Sequence, residues 1–341
     1  MEHENCKSMM HRACLASILS VLISLLSSSV GGSLFAQEKT WFPISASTKS
    51  AGYSPLWAAL QQGYFAQQGL DAQLVVIRGS DRSIQALVGG SVYVTVSAPD
   101  APMNALDRGL DTVIVGGNSQ RPAHWIMGGK NYKTYDDLRG ATIGTISLTA
   151  GTGLVLRHVL KAKGLEYPRD YKLLVIGGTP ELFLALTSNQ IAAAPLALPL
   201  NFAAEEMGYH PIGRFMDVFP NFQLTVLSVS RSWAEKNRRL LVRFLKAYVR
   251  GTRWLFDNED GAAELMTKEL KLKPGHGRKA WQYYTGARVW DPDGHVNTDG
   301  MKAVIQMAAE QNQSKGPLPS PAKYVDESYL NEALRELKEG K

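Results

Sequence analysis

The sequence predicts an α/β protein of two βαβ lobes joined by a two-segment hinge and followed by a helical C-terminal tail. Three observations lead there. First, the chain contains an imperfect repeat. Displaced by 99 positions, the stretch from Ile77 to Val113 lies without a gap on Ile176 to Ile212, with identities at Ile77/Ile176, Gly79/Gly178, Ala86/Ala185, Leu87/Leu186, Ala98/Ala197, Ala105/Ala204 and Gly109/Gly208. Second, each copy alternates apolar runs with amphipathic helices, the pattern of strands that pair in parallel through helical crossovers. Third, the character changes to a series of helices after Trp233.

The N-terminus reads as a secretory signal peptide over residues 1–36. Lys7 and Arg12 precede an apolar stretch, Ala13 to Val30, and small residues lead to Ala36, with cleavage expected before Gln37. The rival reading is an uncleaved membrane anchor, for which the Ser-rich apolar core is short. Both cysteines, Cys6 and Cys14, lie in this segment, so a mature chain of about 305 residues carries no thiol nucleophile, no disulfide and no Cys-ligated metal. The formal charge is +6. The positive residues are dispersed and densest from Arg231 to Arg253 along one helix face. That supports a weak preference for anionic ligands and no nucleic-acid partner.

The elements follow in order. A strand fits Thr40 to Ala46, and Pro55 opens a helix running to Gln62. A short segment, Tyr64 to Gln68, is bracketed by Gly63 and Gly69, and a second strand covers Ala72 to Ile77. Helix Ser80–Val88 ends at Gly89-Gly90. The nearly continuous apolar run Val92–Val96 reads as a buried parallel strand. A helix ends near Asp107 and a strand returns at Thr112–Val115. Beyond a crossing near 118–130, a helical turn at Thr134–Gly140 precedes strand Thr142–Thr145. A Gly-rich loop, Ser147–Gly153, then enters the helix Leu154–Lys163. The second repeat copy occupies Lys172 to Gly213. Phe222–Ser230 is a strand that returns to the first lobe after a second crossing near 215–223. Lobe 1 is thus expected to take residues 37–120 and 223–341, and lobe 2 residues 121–222. Helices are expected at 234–256, 261–269, 277–284, 298–313 and 328–339, in a tail packed on the first lobe.

Loops at the C-terminal ends of strands face the ligand crevice in open α/β sheets. They supply the candidate residues. The Ser147–Gly153 turn could cradle an anion at a helix N-terminus, though it matches neither a P-loop nor a dinucleotide fingerprint; the plainer reading is a tight βα turn. Arg78 could pair with an acidic ligand group or with Asp81. Asp100 could cap its helix or reach the cleft. Asn118 and Arg121 are candidates for ligand contacts or for hinge residues. Tyr53, Trp57, Trp125 and Phe222 could stack on a flat ligand or pack in the core. The five histidines of the mature chain (His124, His158, His210, His276 and His295) have no metal spacing, and there is no nucleophile elbow, so neither a metal nor an enzymatic activity is expected.

Several strings resemble a known family: Pro55-Leu56-Trp57-Ala58-Ala59-Leu60-Gln61-Gln62-Gly63-Tyr64-Phe65-Ala66-Gln67-Gln68-Gly69-Leu70, Ala86-Leu87-Val88-Gly89-Gly90, Asp137-Leu138-Arg139-Gly140, and Val229 to Lys236 continued by Arg243 to Tyr248. They are similar to the periplasmic solute-binding proteins of ABC importers, in the sulfonate/nitrate/taurine and thiamine-pyrimidine-precursor group. The resemblance covers most of residues 40–260. It implies a type II periplasmic-binding-protein fold and an extracytoplasmic, periplasmic receptor that captures a small anionic or aromatic, heterocyclic ligand between its lobes. The receptor would deliver that ligand to a membrane permease and act as a monomer without a cofactor. Carried over residue by residue, the cleft positions are Tyr53, Ser54, Arg78, Ser80, Ser97, Asp100, Asn118, Ser147, Thr149, Thr152 and Asn201. The family's frequent Asp after the Ala-Leu helix is missing, since Gly90-Ser91-Val92-Tyr93 stands there, so the ligand is not carried over. The related pyrimidine synthases use a Cys-rich motif that the mature chain lacks. The alternatives are an enzyme on the same scaffold acting on a small pyrimidine or aromatic compound, and a sensory adaptor.

Overall fold

The computed structural model describes residues 39–340, and the segment read as a signal peptide lies outside them. The described chain, from Thr40 on, forms one compact unit built on two five-stranded sheets.

The first sheet contains β1 (Thr40–Ala46), β2 (Leu70–Val76), β3 (Val94–Ser97), β4 (Val113–Ser119) and β10 (Thr225–Val229). Its order is β2-β1-β3-β10-β4. The second contains β5 (His124–Gly128), β6 (Thr142–Thr145), β7 (Lys172–Val175), β8 (Ala193–Ala197) and β9 (His210–Arg214), in the order β7-β6-β8-β5-β9. The two orders superimpose strand for strand, with β2, β3 and β4 matching β7, β8 and β9, so the sequence repeat is a repeat of topology. In each sheet the strand next to the last is antiparallel to both neighbours: β10 runs against β3 and β4, and β5 against β8 and β9. Each of these strands is the first along the chain after it crosses between sheets. One crossing lies between β4 and β5 and the other between β9 and β10, which makes the two-segment hinge.

Helices cover the sheets as apolar spacing dictates. α1 (Ser54–Gln61) and α2 (Tyr64–Gln67) follow β1, and α3 (Ser80–Val88) and α4 (Asp100–Asp107) join β2, β3 and β4. In the second lobe α5 (Gly151–Ala162), α6 (Thr179–Thr187) and α7 (Leu200–Glu206) take the corresponding places. α5 starts at Gly151, three residues before the expected Leu154, because the small residues of the Gly-rich loop already adopt its first turn. The tail is α8 (Arg231–Lys236), α9 (Arg238–Asp257), α10 (Glu259–Leu270), α11 (Pro274–Gly286), α12 (Thr298–Gln311) and α13 (Ser328–Lys338). The single helix expected over 234–256 is broken at Asn237. Among the described residues no helix is long and apolar enough to cross a membrane.

The first lobe's core is aromatic. Phe42 of β1 stacks on Phe244 of α9 at 5.2 Å between centroids, and Phe244 stacks in turn on Phe65 at 5.5 Å. Burying such a side chain contributes on the order of 1.5–3 kcal/mol. The tail does not pack on the first lobe alone. Met301, Val304, Ile305, Met307 and Ala308 of α12 share one apolar cluster with Ile114 of β4 and with Leu154, Val155 and Val159 of α5. That helix therefore bridges the lobes behind the cleft.

Candidate functional site

The C-terminal ends of the parallel strands of both sheets converge on one cavity. Its volume is about 620 Å³ including the mouth. The first lobe contributes Ser47, Thr48, Ser50 and Tyr53 after β1, Ser80 after β2, Ala98 after β3 and Ser119 at the end of β4. The crossings bring Arg121, Ala123, His124, Leu224 and Thr225. The second lobe adds Ile146, Ser147, Ala150, Gly151 and Thr152, and the tail adds Tyr284 and Val289.

The wall is rich in hydroxyl groups, and local structure fixes many of them. Tyr53 and Ser47 hydroxyls lie 2.7 Å apart. Ser80 Oγ accepts the Ala98 N–H at 3.1 Å, and Ser147 Oγ accepts those of Thr149 and Ala150, both at 3.2 Å, closing the turn ahead of α5. Behind the wall, Asn118 donates from Nδ2 to Gly52 O at 3.0 Å and to Thr225 Oγ1 at 2.8 Å, while its Oδ1 accepts from Tyr248 at 2.9 Å. Trp290 Nε1 also donates to Gly52 O. The turn that carries Tyr53 is thereby tied to β4, to β10 and to the tail.

Among the described residues that line the cavity, Arg121 is the one with a formal charge at neutral pH, and no carboxylate lines it. Its buried Nε has no hydrogen-bond partner. His124 is buried, its Nδ1 is unpartnered, its ring stacks on Phe215, and burial pulls its pKa down to about 4, so it is a neutral imidazole. Burial also pushes the Tyr53 hydroxyl up to about 12, despite the Ser47 hydrogen bond, and raises that of Tyr284. Arg121 is therefore the source of positive charge among the described residues that line the cavity. Among the described residues no group of His, Cys, Asp and Glu is placed to hold a metal ion.

Of the residues expected at the cleft, Tyr53, Ser80, Ser147 and Thr152 line the cavity. The others lie elsewhere. Arg78 points out to solvent and pairs with Glu181 of the other lobe rather than with Asp81. Asn118 is held behind the wall by the bonds above. Ser54, at the start of α1, and Ser97, at the end of β3, are fully buried with unpartnered hydroxyls. Asp100 reaches past the cavity and accepts the Gly151 N–H at 2.9 Å. Thr149 is exposed at the tip of its turn. Asn201 is fully buried at the start of α7, and neither end of its amide has a partner. Sequence reasoning did not single out Thr48, Ser50, Ser119, His124, Thr225 or Tyr284. Ser119 and Thr225 could have been found by extending the crossing strands inward, whereas Tyr284 comes from a tail helix that carries no local signal.

The formylaminopyrimidine-binding protein of Halalkalibacterium halodurans is 24% identical over 233 residues, covering 66% of this chain and 67% of that protein. The periplasmic nitrate-binding protein of Synechocystis PCC 6803 has a TM-score of 0.70 at 15% identity, over 88% of this chain and 90% of that one. The alkanesulfonate-binding protein of Xanthomonas axonopodis pv. citri, solved with MOPS bound, has a TM-score of 0.67 at 17% identity, over 85% and 99%. A desulfurization enzyme shares the fold as well, with a TM-score of 0.64 at 15% identity over 88% of this chain and 100% of that one. The structural likenesses are likenesses of fold. A family model described as NMT1/THI5 like matches residues 50–262, more than half of the sequence, and the chain belongs to that family.

Proposed function

We propose that the protein is an extracytoplasmic solute receptor that closes its two lobes on a small ligand with an acidic group and delivers it to the permease of an ABC importer. One observation carries this: a hydroxyl-lined cavity, with a single guanidinium and no carboxylate among the described residues that line it, lies between two topologically equivalent lobes. Arg121 takes the ligand's anionic group by charge-assisted hydrogen bonds, and Thr48, Ser50, Ser80, Ser147 and Thr152 hold its polar edge. Tyr53 and Tyr284 face its flat or apolar part. The ligand joins the lobes, and the closed form is the state the permease reads. The N-terminal signal sends the chain to the periplasm, where it acts as a monomer. Names of relatives that bind nitrate, alkanesulfonate and formylaminopyrimidine support this reading.

Thermal-shift screening against sulfonates, carboxylates, nitrate and formylated pyrimidines tests it, because a ligand that binds only the folded state must raise its melting temperature. No stabilisation by any of these classes would overturn it. The fold shared with a desulfurization enzyme favours a second reading, catalysis on the same scaffold. Recovery of the ligand chemically unchanged after prolonged incubation separates the receptor from an enzyme.

A further inference from the structure

The turn Ser147–Gly153 has the parts of an anion cradle: a small-residue loop and the unpaired N–H groups at the start of a twelve-residue helix. In the structure the protein supplies the anion itself. Asp100, at the start of α4 in the first lobe, reaches across the cleft, and its Oδ2 accepts the Gly151 N–H at 2.9 Å. The carboxyl is 4% exposed and sits in a small pocket whose other walls are Ala98, Pro99, Leu154, Val155, Phe222, Leu224, Val304 and Met307, none of them charged. The charge of Asp81, which is of like sign, also acts on it. The Gly151 N–H at the start of α5, helped by the N–H groups of Asp100 and Ala101 at the start of α4, offsets part of the cost of burying the carboxylate.

The contact also shapes the ligand cavity. Ala98, Gly151 and Leu224 line both that cavity and the Asp100 pocket, so they form the partition between them. The partition is tight: a Cβ on Gly151, whose φ is +57°, would lie 3.2 Å from the Ala98 Cβ and 3.6 Å from Ser80 Oγ. An anion arriving in the cavity finds the Gly151 N–H taken and a carboxylate behind it. The second copy of the repeat has no counterpart, since position 199 there is Pro.

We infer that Asp100 is a specificity-determining residue of the cleft: an internal anion that fills the start of α5 in place of a ligand group, leaving Arg121 as the cavity's one seat for a ligand's acid. The inference rests on the receptor reading and deepens it. The receptor takes ligands with a single acidic group and turns away those with a second one directed at α5.

The test uses inorganic sulfate as probe, at constant ionic strength against chloride, on the full chain carrying Arg121→Gln so that the guanidinium contributes nothing. With Asp100 present, sulfate is expected to give no saturable stabilisation. With Asp100→Gly or Asp100→Ser, the vacated Gly151 N–H at the start of α5 should bind sulfate, with a gain in affinity of about tenfold or more by calorimetry. No gain in either folded variant, or an equal sulfate response with Asp100 in place, overturns the inference. So does failure of both variants to fold, which would make Asp100 a structural residue. The ligand screen above is a separate measurement. A protein that keeps its ligand but shows no sulfate gain refutes only the role of Asp100, and one that shows the gain but binds nothing in the screen refutes only the receptor reading.

Discussion

Arg78 donates from Nε to Glu181 Oε1 at 2.8 Å, joining the loop after β2 to the first turn of α6 and so one lobe to the other. Residues 78 and 181 flank equivalent strand ends of the two repeat copies, which gives the cleft a cation on one rim and an anion on the facing rim. Arg78 is 59% exposed, so the pair is worth about 0–1 kcal/mol. It acts on lobe closure more than on folding.

Arg78→Glu is therefore expected to leave the melting temperature nearly unchanged but to widen the ligand-free cleft, by setting a like charge against Glu181. Dye pairs on cysteines placed at Gln85 and Gln190, in a chain with Cys6→Ser and Cys14→Ser, would report the distance between lobes. Adding Glu181→Arg should restore it. Equal distances in all three proteins would show that the pair has no part in closure.

Gly153 tests the turn ahead of α5. A Cβ there would lie 1.8 Å from the Ser147 carbonyl oxygen and 2.7 Å from Thr145 Oγ1, and the first of these is backbone that cannot move aside. Gly153→Ala should destabilise by about 1–3 kcal/mol in urea unfolding, the usual cost of overpacking. Unchanged stability would mean that the turn relaxes freely.

The residues of this turn show how far the sequence was legible. Glycines between a strand and a helix marked the turn, yet the pattern could not say whether Gly153 is small for a ligand or for Ser147 O. Strands β1 and β6 and helix α3 were readable to the residue because Gly, Pro or polar clusters bound their apolar periods. β5, His124–Gly128, was not among the expected strands: it begins just after Pro122 and, among the described residues, pairs with the distant β8 and β9. Missing it hid His124. The strand-end rule located Tyr53, Ser80, Ser147 and Thr152, but not which way Asp100 reaches or that Tyr284, in the tail helix α11, closes the wall. Those depend on how the lobes meet, which no local period encodes.

Asp100 and His124 should titrate with opposite effects on stability. Burial raises Asp100 from 3.8 to about 6, with the Gly151 N–H opposing the shift. Its stabilising contribution is therefore complete below pH 3.8 and lost as pH rises through 6. Burial lowers His124 from 6.5 to about 4, so its contribution is complete above pH 6.5 and lost as pH falls through 4. Each is on the order of 3 kcal/mol, and in the native protein they partly cancel between pH 4 and 6.5. Melting curves from pH 4 to 7.5 should show Asp100→Asn gaining on the native chain as pH rises, and His124→Gln gaining on it as pH falls. Curves parallel to the native one would rule out both shifts.

Arg121 separates binding from folding. Its guanidinium faces a cavity with no carboxylate, and its Nε is buried without a partner, so the fold gains little from it and a bound anion gains much. Arg121→Gln should keep or slightly raise the melting temperature of the free protein, since an unpaired buried donor is costly. The same change should weaken the ligand found by the screen by about tenfold to a hundredfold, the span expected for a charge-assisted contact of roughly 1.5–3 kcal/mol. Arg121→Lys keeps the charge but not the planar fork, and should recover only part of that loss. Calorimetry on the three proteins decides it. Equal affinities would move the ligand's acidic group away from Arg121, whereas a parallel fall in stability and affinity would make Arg121 a residue of the hinge rather than of the site.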